Sequence, residues 1–325
     1  MNLPAHLLRD RLPPPPAKLL WIHHSTTAIG DSIMDLAGRA LLGNYSVDLL
    51  TNQQNAGLFR GDRFFGKVFA DVSEVNAAEY DFVLLDMFNT RSIQLKRRLC
   101  PDLPFACLQG FFYGFNFNRI LFSCYRIHHL LVYPHDEKEL GRFLRPRLFV
   151  EDEPSPLPPK RKQNRFALML GGMDAKRTYR HWPEVIQNLR DCWPSNREFP
   201  EFVLIGSQNG RPYVESVMAV LDSCEATSCV STLTLRQTAR VIADSDFFMG
   251  PDGGLMHCAS ALGVPGIAIF RWLMPHLLLP PHSDIQSLYD PADVNNVSPD
   301  IVAEAISKHP WMSGHRCSTA PYLIT

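Results

Sequence analysis

The stretch GPDGGLMHCASALG, residues 250 to 263, joins an aspartate, two adjacent glycines and a histidine to the start of a helix-like run. Gly253 and Gly254 carry no side chain and can take positive φ. Consecutive N–H groups at such a turn can therefore point outward beside a helix N-terminus, an arrangement that suits a diphosphate. The helix is expected to begin near Leu255. Asp252 is either part of the ligand site or an N-cap for that helix. His257 falls in the first helical turn, where its ring either reaches a ligand or fills an interdomain surface.

A turn of this kind works only where a strand ends and a helix begins, and the rest of the sequence repeats that rhythm. KLLWIHH (18–24) reads as a buried strand, STTAIGD (25–31) as a loop, and SIMDLAGRALLG (32–43) as a helix ending at a glycine. VDLLTN, DFVLLDMF (81–88) and PFACLQGF (104–111) continue the alternation. EDEPSPLPPKRKQNR holds four prolines in fifteen mostly polar residues and can form neither helix nor central strand, so it marks a junction. Beyond it come RFALMLGG, WPEVIQNLRDCW, EFVLIGS, RPYVESVMAVLD, LRQTARVIADS, DFFMGP, LMHCASALG and PGIAIF, read in turn as strand, helix, strand, helix, helix, strand, helix and strand. The pattern predicts two Rossmann-like, doubly wound α/β domains facing a cleft, residues 1–150 and 165–325, with 151–164 as linker.

Bulk composition narrows the function classes. The chain has 32 Lys and Arg against 33 Asp and Glu, a net charge of -1, so nothing global points to nucleic acid. Eight cysteines are scattered without CxxC spacing, which suggests neither a zinc cage nor a disulfide framework and fits a reducing cytoplasm. No run approaches the ~18 apolar residues of a spanning helix, and the proline-broken N-terminus does not read as a signal peptide. A cytoplasmic protein is expected, with peripheral contact at the inner face of the inner membrane as the further option.

From Ala243 to Phe270 the chain resembles the donor-binding motif of the bacterial ADP-heptose:lipopolysaccharide heptosyltransferases, glycosyltransferase family nine. The matching positions are Asp252, Gly254, Leu255, His257, Ala259, Ala261, Leu262, Gly263 and Pro265. Gly253 stands where that family carries a hydroxyl residue. A second match is LMLGGMDAKRTYRHWPEVIQNL (168–189), similar to the family's strand, glycine loop, basic residue and W-P helix start, with Arg180 or Lys176 at the place of the family's lysine. A third is IHHSTTAIGDSIM (22–34), in which the family's expected catalytic base falls on Asp31; a plain N-cap is the competing role. The segment from Phe88 to Pro159 matches nothing.

The resemblance implies a GT-B glycosyltransferase that inverts the anomeric centre and moves a sugar, a heptose from ADP-heptose, onto a bacterial surface glycan such as the lipopolysaccharide core. Its partners would be a nucleotide sugar and a glycan or lipid-linked glycan acceptor, with no nucleic acid. Asp31 would take the acceptor proton. Lys176, Arg180 and the amides of Gly253 and Gly254 would meet the departing diphosphate. No metal or other cofactor is expected, and Asp244-Ser245-Asp246, a DxD triplet, precedes its strand and reads as a turn. The alternatives are a nucleotide-sugar epimerase and an inactive relative that binds a glycan or partner. Eight aromatics between Phe105 and Tyr125 read as core packing or as a membrane-facing loop aided by Arg119 and Arg126.

Overall fold

A computed structural model of the protein describes residues 5–87, 90–109, 116–136 and 140–313. The chain divides into two compact units, residues 1–152 with 276–281 and residues 153–275 with 282–325. Residues 110–115, most of the aromatic run's centre, lie outside the described residues.

The first unit contains β1 (Lys18–His23), α1 (Ile29–Asp35), β2 (Ser46–Thr51), α2 (Gln53–Phe59), β3 (Val68–Phe69), β4 (Phe82–Met87), α3 (Thr90–Leu99), β5 (Phe105–Gln109) and α4 (Arg119–Leu130). Its parallel sheet has the order β3-β2-β1-β4-β5. β1 is buried from Leu19 to His23, as expected of a strand covered on both faces. Leu20, Ile22, Leu50, Val83 and Leu85 form one face of that core, each fully buried side chain contributing about 1.5–3 kcal/mol.

The helix expected over 32–43 begins earlier and ends sooner. α1 starts at Ile29 with Ala28 as its N-cap, and the chain tightens into a 3-10 turn over Ala37–Leu42. A Cβ on Gly38 would come within 2.7 Å of Ile127 Cδ1 and 3.1 Å of the Ser123 carbonyl, so this turn lies directly on α4. Gly30 and Asp31 are consequently helical residues of the first turn, and neither forms the loop expected at 25–31.

The second unit contains β6 (Arg165–Met169), α5 (Trp182–Cys192), β7 (Glu201–Ile205), α6 (Val214–Met218), β8 (Ala226–Ser228), α7 (Leu235–Ala243), β9 (Phe247–Pro251), α8 (Gly254–Leu262), β10 (Gly266–Phe270), β11 (Ile285–Tyr289) and α9 (Pro299–Ser307). Its parallel sheet has the order β11-β10-β9-β6-β7-β8. β8 and β11 were not expected from the sequence, since three residues and a mostly exposed five leave no apolar run to read. The helix expected over 211–222 is a 3-10 turn, Gln208–Tyr213, leading into the short α6. Phe166, Leu168, Phe247, Met249, Ile267 and Ile269 line the face on which α5 and α9 pack.

The basic run Lys160-Arg161-Lys162 is occupied by acids of its own unit. Lys160 pairs with Asp246 and Lys162 with Glu198, while the Arg161 amide donates to Glu201. The DxD triplet is equally structural. Asp244 is the C-cap of α7 and pairs with Arg240 at 2.8 Å, and Asp246 accepts from the Arg165 amide at 2.9 Å. Both aspartates sit at the N-terminal end of β9, opposite the turn that follows it.

Candidate functional site

In open parallel sheets, ligands gather at the carboxyl ends of the strands where the strand order reverses. That point lies between β1 and β4 in the first unit and between β6 and β9 in the second. The residues singled out from the sequence cluster at these two places.

At the first, His23 ends β1 and Asp86 lies near the end of β4, both buried. His23 Nδ1 lies 3.3 Å from Asp86 Oδ2, and His23 Nε2 lies 3.0 Å from Ser32 Oγ on α1. Asn55 donates to the same Ser32 hydroxyl at 2.6 Å. Asp86 also accepts from the Ser25 amide at 2.7 Å and the Ser92 hydroxyl at 2.8 Å. Burial alone would raise the Asp86 carboxyl, but the contacts from His23 and Ser25 outweigh it and hold the group below the usual carboxylate range. The network ties β1, α1, α2 and β4 together beneath Asp31.

Asp31 occupies the first turn of α1 and is not its N-cap, so the capping role considered for it is not the one it plays. Its side chain is 36% exposed. Oδ1 pairs with Arg119 Nη1 at 2.7 Å, and Oδ2 accepts from the Thr26 hydroxyl at 3.2 Å. Arg119, the first residue of α4, also grips the buried Asp35 through Nε at 2.6 Å and Nη2 at 2.8 Å. This use of Arg119 replaces the membrane role considered for it. Arg126 likewise turns inward, donating to the Cys107 carbonyl. One arginine therefore spans a buried carboxylate that anchors it and a half-exposed carboxylate that it orients.

At the second place, β9 ends at Pro251 and α8 begins at Gly254. Gly253 is the N-cap, with φ 168° and ψ -178°, and Asp252 stands one residue before it, outside the helix. The turn is thus extended, a conformation open to any residue, and the positive φ expected at Gly253 and Gly254 is not what it uses. A Cβ on Gly253 would meet only Met169 Cε, at 3.0 Å. Gly254 and Leu255 are half-buried at the start of α8. Asp252 is buried, its amide donates to the Ile269 carbonyl at 2.9 Å, and its carboxylate pairs with Arg177 Nη2. His257 is buried too, with Nε2 3.8 Å from Asp252 Oδ1.

The two cations chosen from the sequence stand a little apart from this pair. Lys176 and Arg180 are exposed, and both lend positive charge to Asp293, whose carboxyl is held low chiefly by the Asn295 amide. The Arg180 amide donates to Asn295 Oδ1 at 2.9 Å, and Asn295 donates back to the Thr178 carbonyl at 3.0 Å. Arg177, between them in sequence, is the cation that reaches Asp252. Nothing in the local sequence separates Arg177 from its basic neighbours; the choice is made by the backbone of the loop. Among the described residues no group of three or more His, Cys, Asp or Glu is placed to hold a metal ion.

Two α/β units built on parallel sheets, each with a polar cluster at its switch point, define the architecture of a GT-B glycosyltransferase. Residues 171–288, which contain the Arg177 loop and the turn after β9, match the model of glycosyltransferase family 9 (heptosyltransferase). The fold of the chain is that of solved family structures. It resembles E. coli heptosyltransferase WaaC with ADP-2-deoxy-2-fluoro heptose at TM-score 0.67 and 13% identity, over 89% of this chain and 99% of that one. A family 9 glycosyl transferase from Veillonella parvula DSM 2008 gives TM-score 0.66 and 12% identity, over 91% and 96%. E. coli ADP-heptose lps heptosyltransferase II gives TM-score 0.61 and 15% identity, over 91% and 99%. No curated protein matches the chain by sequence.

Proposed function

We propose that the protein transfers a heptose from ADP-heptose, with inversion, onto a bacterial surface glycan such as the lipopolysaccharide core. The observation that carries this reading is the coincidence of the family 9 match with the Asp252–Gly254 turn, where a charged pair meets the first amides of α8. The names of similar structures, WaaC with an ADP-heptose analogue and with ADP, support the donor.

In this reading the second unit holds the nucleotide sugar. The amides at Gly253, Gly254 and Leu255 donate to the diphosphate, with Lys176 and Arg180 supplying positive charge. Asp252 and His257 line the same turn. Asp31, in the first unit, takes the proton from the acceptor hydroxyl. The acceptor oxygen forms a bond to the anomeric carbon as the bond from that carbon to the diphosphate oxygen breaks. The bonding pair leaves with ADP, whose developing charge the amides and cations offset. Every charge that develops is met by a side chain or amide, so transfer is expected to survive EDTA.

The test is a binding and transfer screen with ADP, UDP, GDP and CMP, their sugars, and ADP-heptose with a heptose-deficient lipopolysaccharide as acceptor. Selective binding of ADP and ADP-heptose, with transfer to the acceptor, is the expected result. Selectivity for UDP would replace the donor. Binding without transfer to any glycan would favour the inactive binding relative.

A further inference from the structure

The loop after β6 offers three cations, Lys176, Arg177 and Arg180, and only one of them is locked in place. Asp174 caps the short turn Ala175–Arg177, its Oδ1 accepting from the amides of Lys176 at 2.9 Å and Arg177 at 3.0 Å. The Thr178 hydroxyl donates to the Asp174 carbonyl at 2.8 Å and accepts from the Gly172 amide at 3.0 Å. A Cβ on Gly172 would come within 2.1 Å of the Arg177 carbonyl oxygen, so the two arms of the loop touch backbone to backbone. Arg271 Nη1, on the loop after β10, lies 3.7 Å from Asp174 and braces the cap from outside.

This clamp aims the Arg177 guanidinium at the turn after β9. Nη2 rests on Asp252, immediately before the Gly253–Gly254 start of α8. Nε is buried and makes no hydrogen bond among the described residues. A guanidinium presents five N–H donors in a planar fork that matches a phosphate two oxygens at a time. Here one arm of the fork is anchored and a second donor is left without an acceptor. By contrast, Lys176 and Arg180 project as exposed cations toward Asp293.

We propose that Arg177, oriented by Asp252, binds the diphosphate of the donor at the turn after β9 and is its principal side-chain cation. The inference rests on the nucleotide-sugar reading above. Asp252 then serves to hold the fork in register, a role that fits its burial against Arg177 and His257.

Titration calorimetry with ADP and with adenosine, on wild type and on Arg177→Ala, Arg177→Gln and Arg177→Lys, tests this. Adenosine carries no phosphate, so a phosphate contact is lost only with ADP. The expected result is that Arg177→Ala and Arg177→Gln weaken ADP by at least about tenfold and leave adenosine unchanged, with Arg177→Lys recovering part of the loss as a point charge. ADP affinity within about twofold of wild type in all three variants would overturn the inference and leave the donor reading standing. Equal losses for ADP and adenosine would also overturn it, by showing a structural role. A wild type that binds no nucleoside diphosphate would remove the donor reading and Arg177's role together.

Discussion

The carboxylates of the first unit are held by partners distant in sequence, Asp35 by Arg119 and Asp86 by His23; Asp252 in the second unit also has a distant partner, Arg177, but that partner is set by a loop folded tightly on itself. In the first case the site is built from ion pairs and hydrogen bonds inside a covered sheet. In the second, one ion pair, Asp252 with Arg177, is joined by close packing around glycines, with Gly172 against the Arg177 carbonyl and Gly250 against the Met169 side chain. Buried charge is the more fragile material, because removing one partner strands the other out of water. Close packing fails differently: added atoms displace a loop without unpairing anything.

That contrast can be broken from either side. The largest stability effect is expected for Asp35→Ala, which removes the buried carboxylate that Arg119 grips through Nε and Nη2. A loss of about 3 kcal/mol is expected, at the low end for a broken buried pair because the Asp31 carboxylate remains. Urea denaturation of wild type and variant measures it; a loss below about 0.5 kcal/mol would show that Asp35 anchors nothing. Gly172→Ala in the second unit should cost about 1–3 kcal/mol, because its neighbour is backbone and must move. The same change should weaken ADP binding, since the Arg177 carbonyl is what it displaces. Gly253→Ser, the smallest effect, should leave stability within about 0.5 kcal/mol of wild type, because the site is extended and its one close neighbour is the flexible end of Met169. It adds a hydroxyl beside the α8 amides, so ADP should bind more tightly. Weaker ADP binding in Gly253→Ser would place the phosphates away from that turn.

The same difference explains what could be read in advance. The turn after β9 was legible because a strand, a turn and a helix that must meet one ligand are contiguous in sequence. The family 9 match covers that region, 171–288, and extends no further. The alternating strands and helices were also legible, because buried parallel strands are short apolar runs. Asp31 could be placed at the entry to α1, yet its partner could not, since Arg119 stands 88 residues further on, just past the undescribed 110–115 segment. The start of α1 was misplaced because Gly30 and Asp31 look like loop residues, while Ala28 caps the helix through its backbone alone. Arg177 was passed over for its neighbours for a similar reason. Three cations in five residues have the same local chemistry, and only the Asp174 cap and the Gly172 contact decide which one turns inward.

The most direct test of the account is the rate of ADP release from ADP-heptose with a lipopolysaccharide acceptor, measured for wild type and Asp31→Asn alongside the ADP dissociation constant of each. Asparagine keeps the shape of the side chain and cannot take the acceptor proton. The account predicts that turnover falls by about 10²–10⁴, while ADP binding in the second unit stays within about twofold. Turnover unchanged in Asp31→Asn would contradict it, and would leave the carboxylate that Arg119 orients without a part in the chemistry.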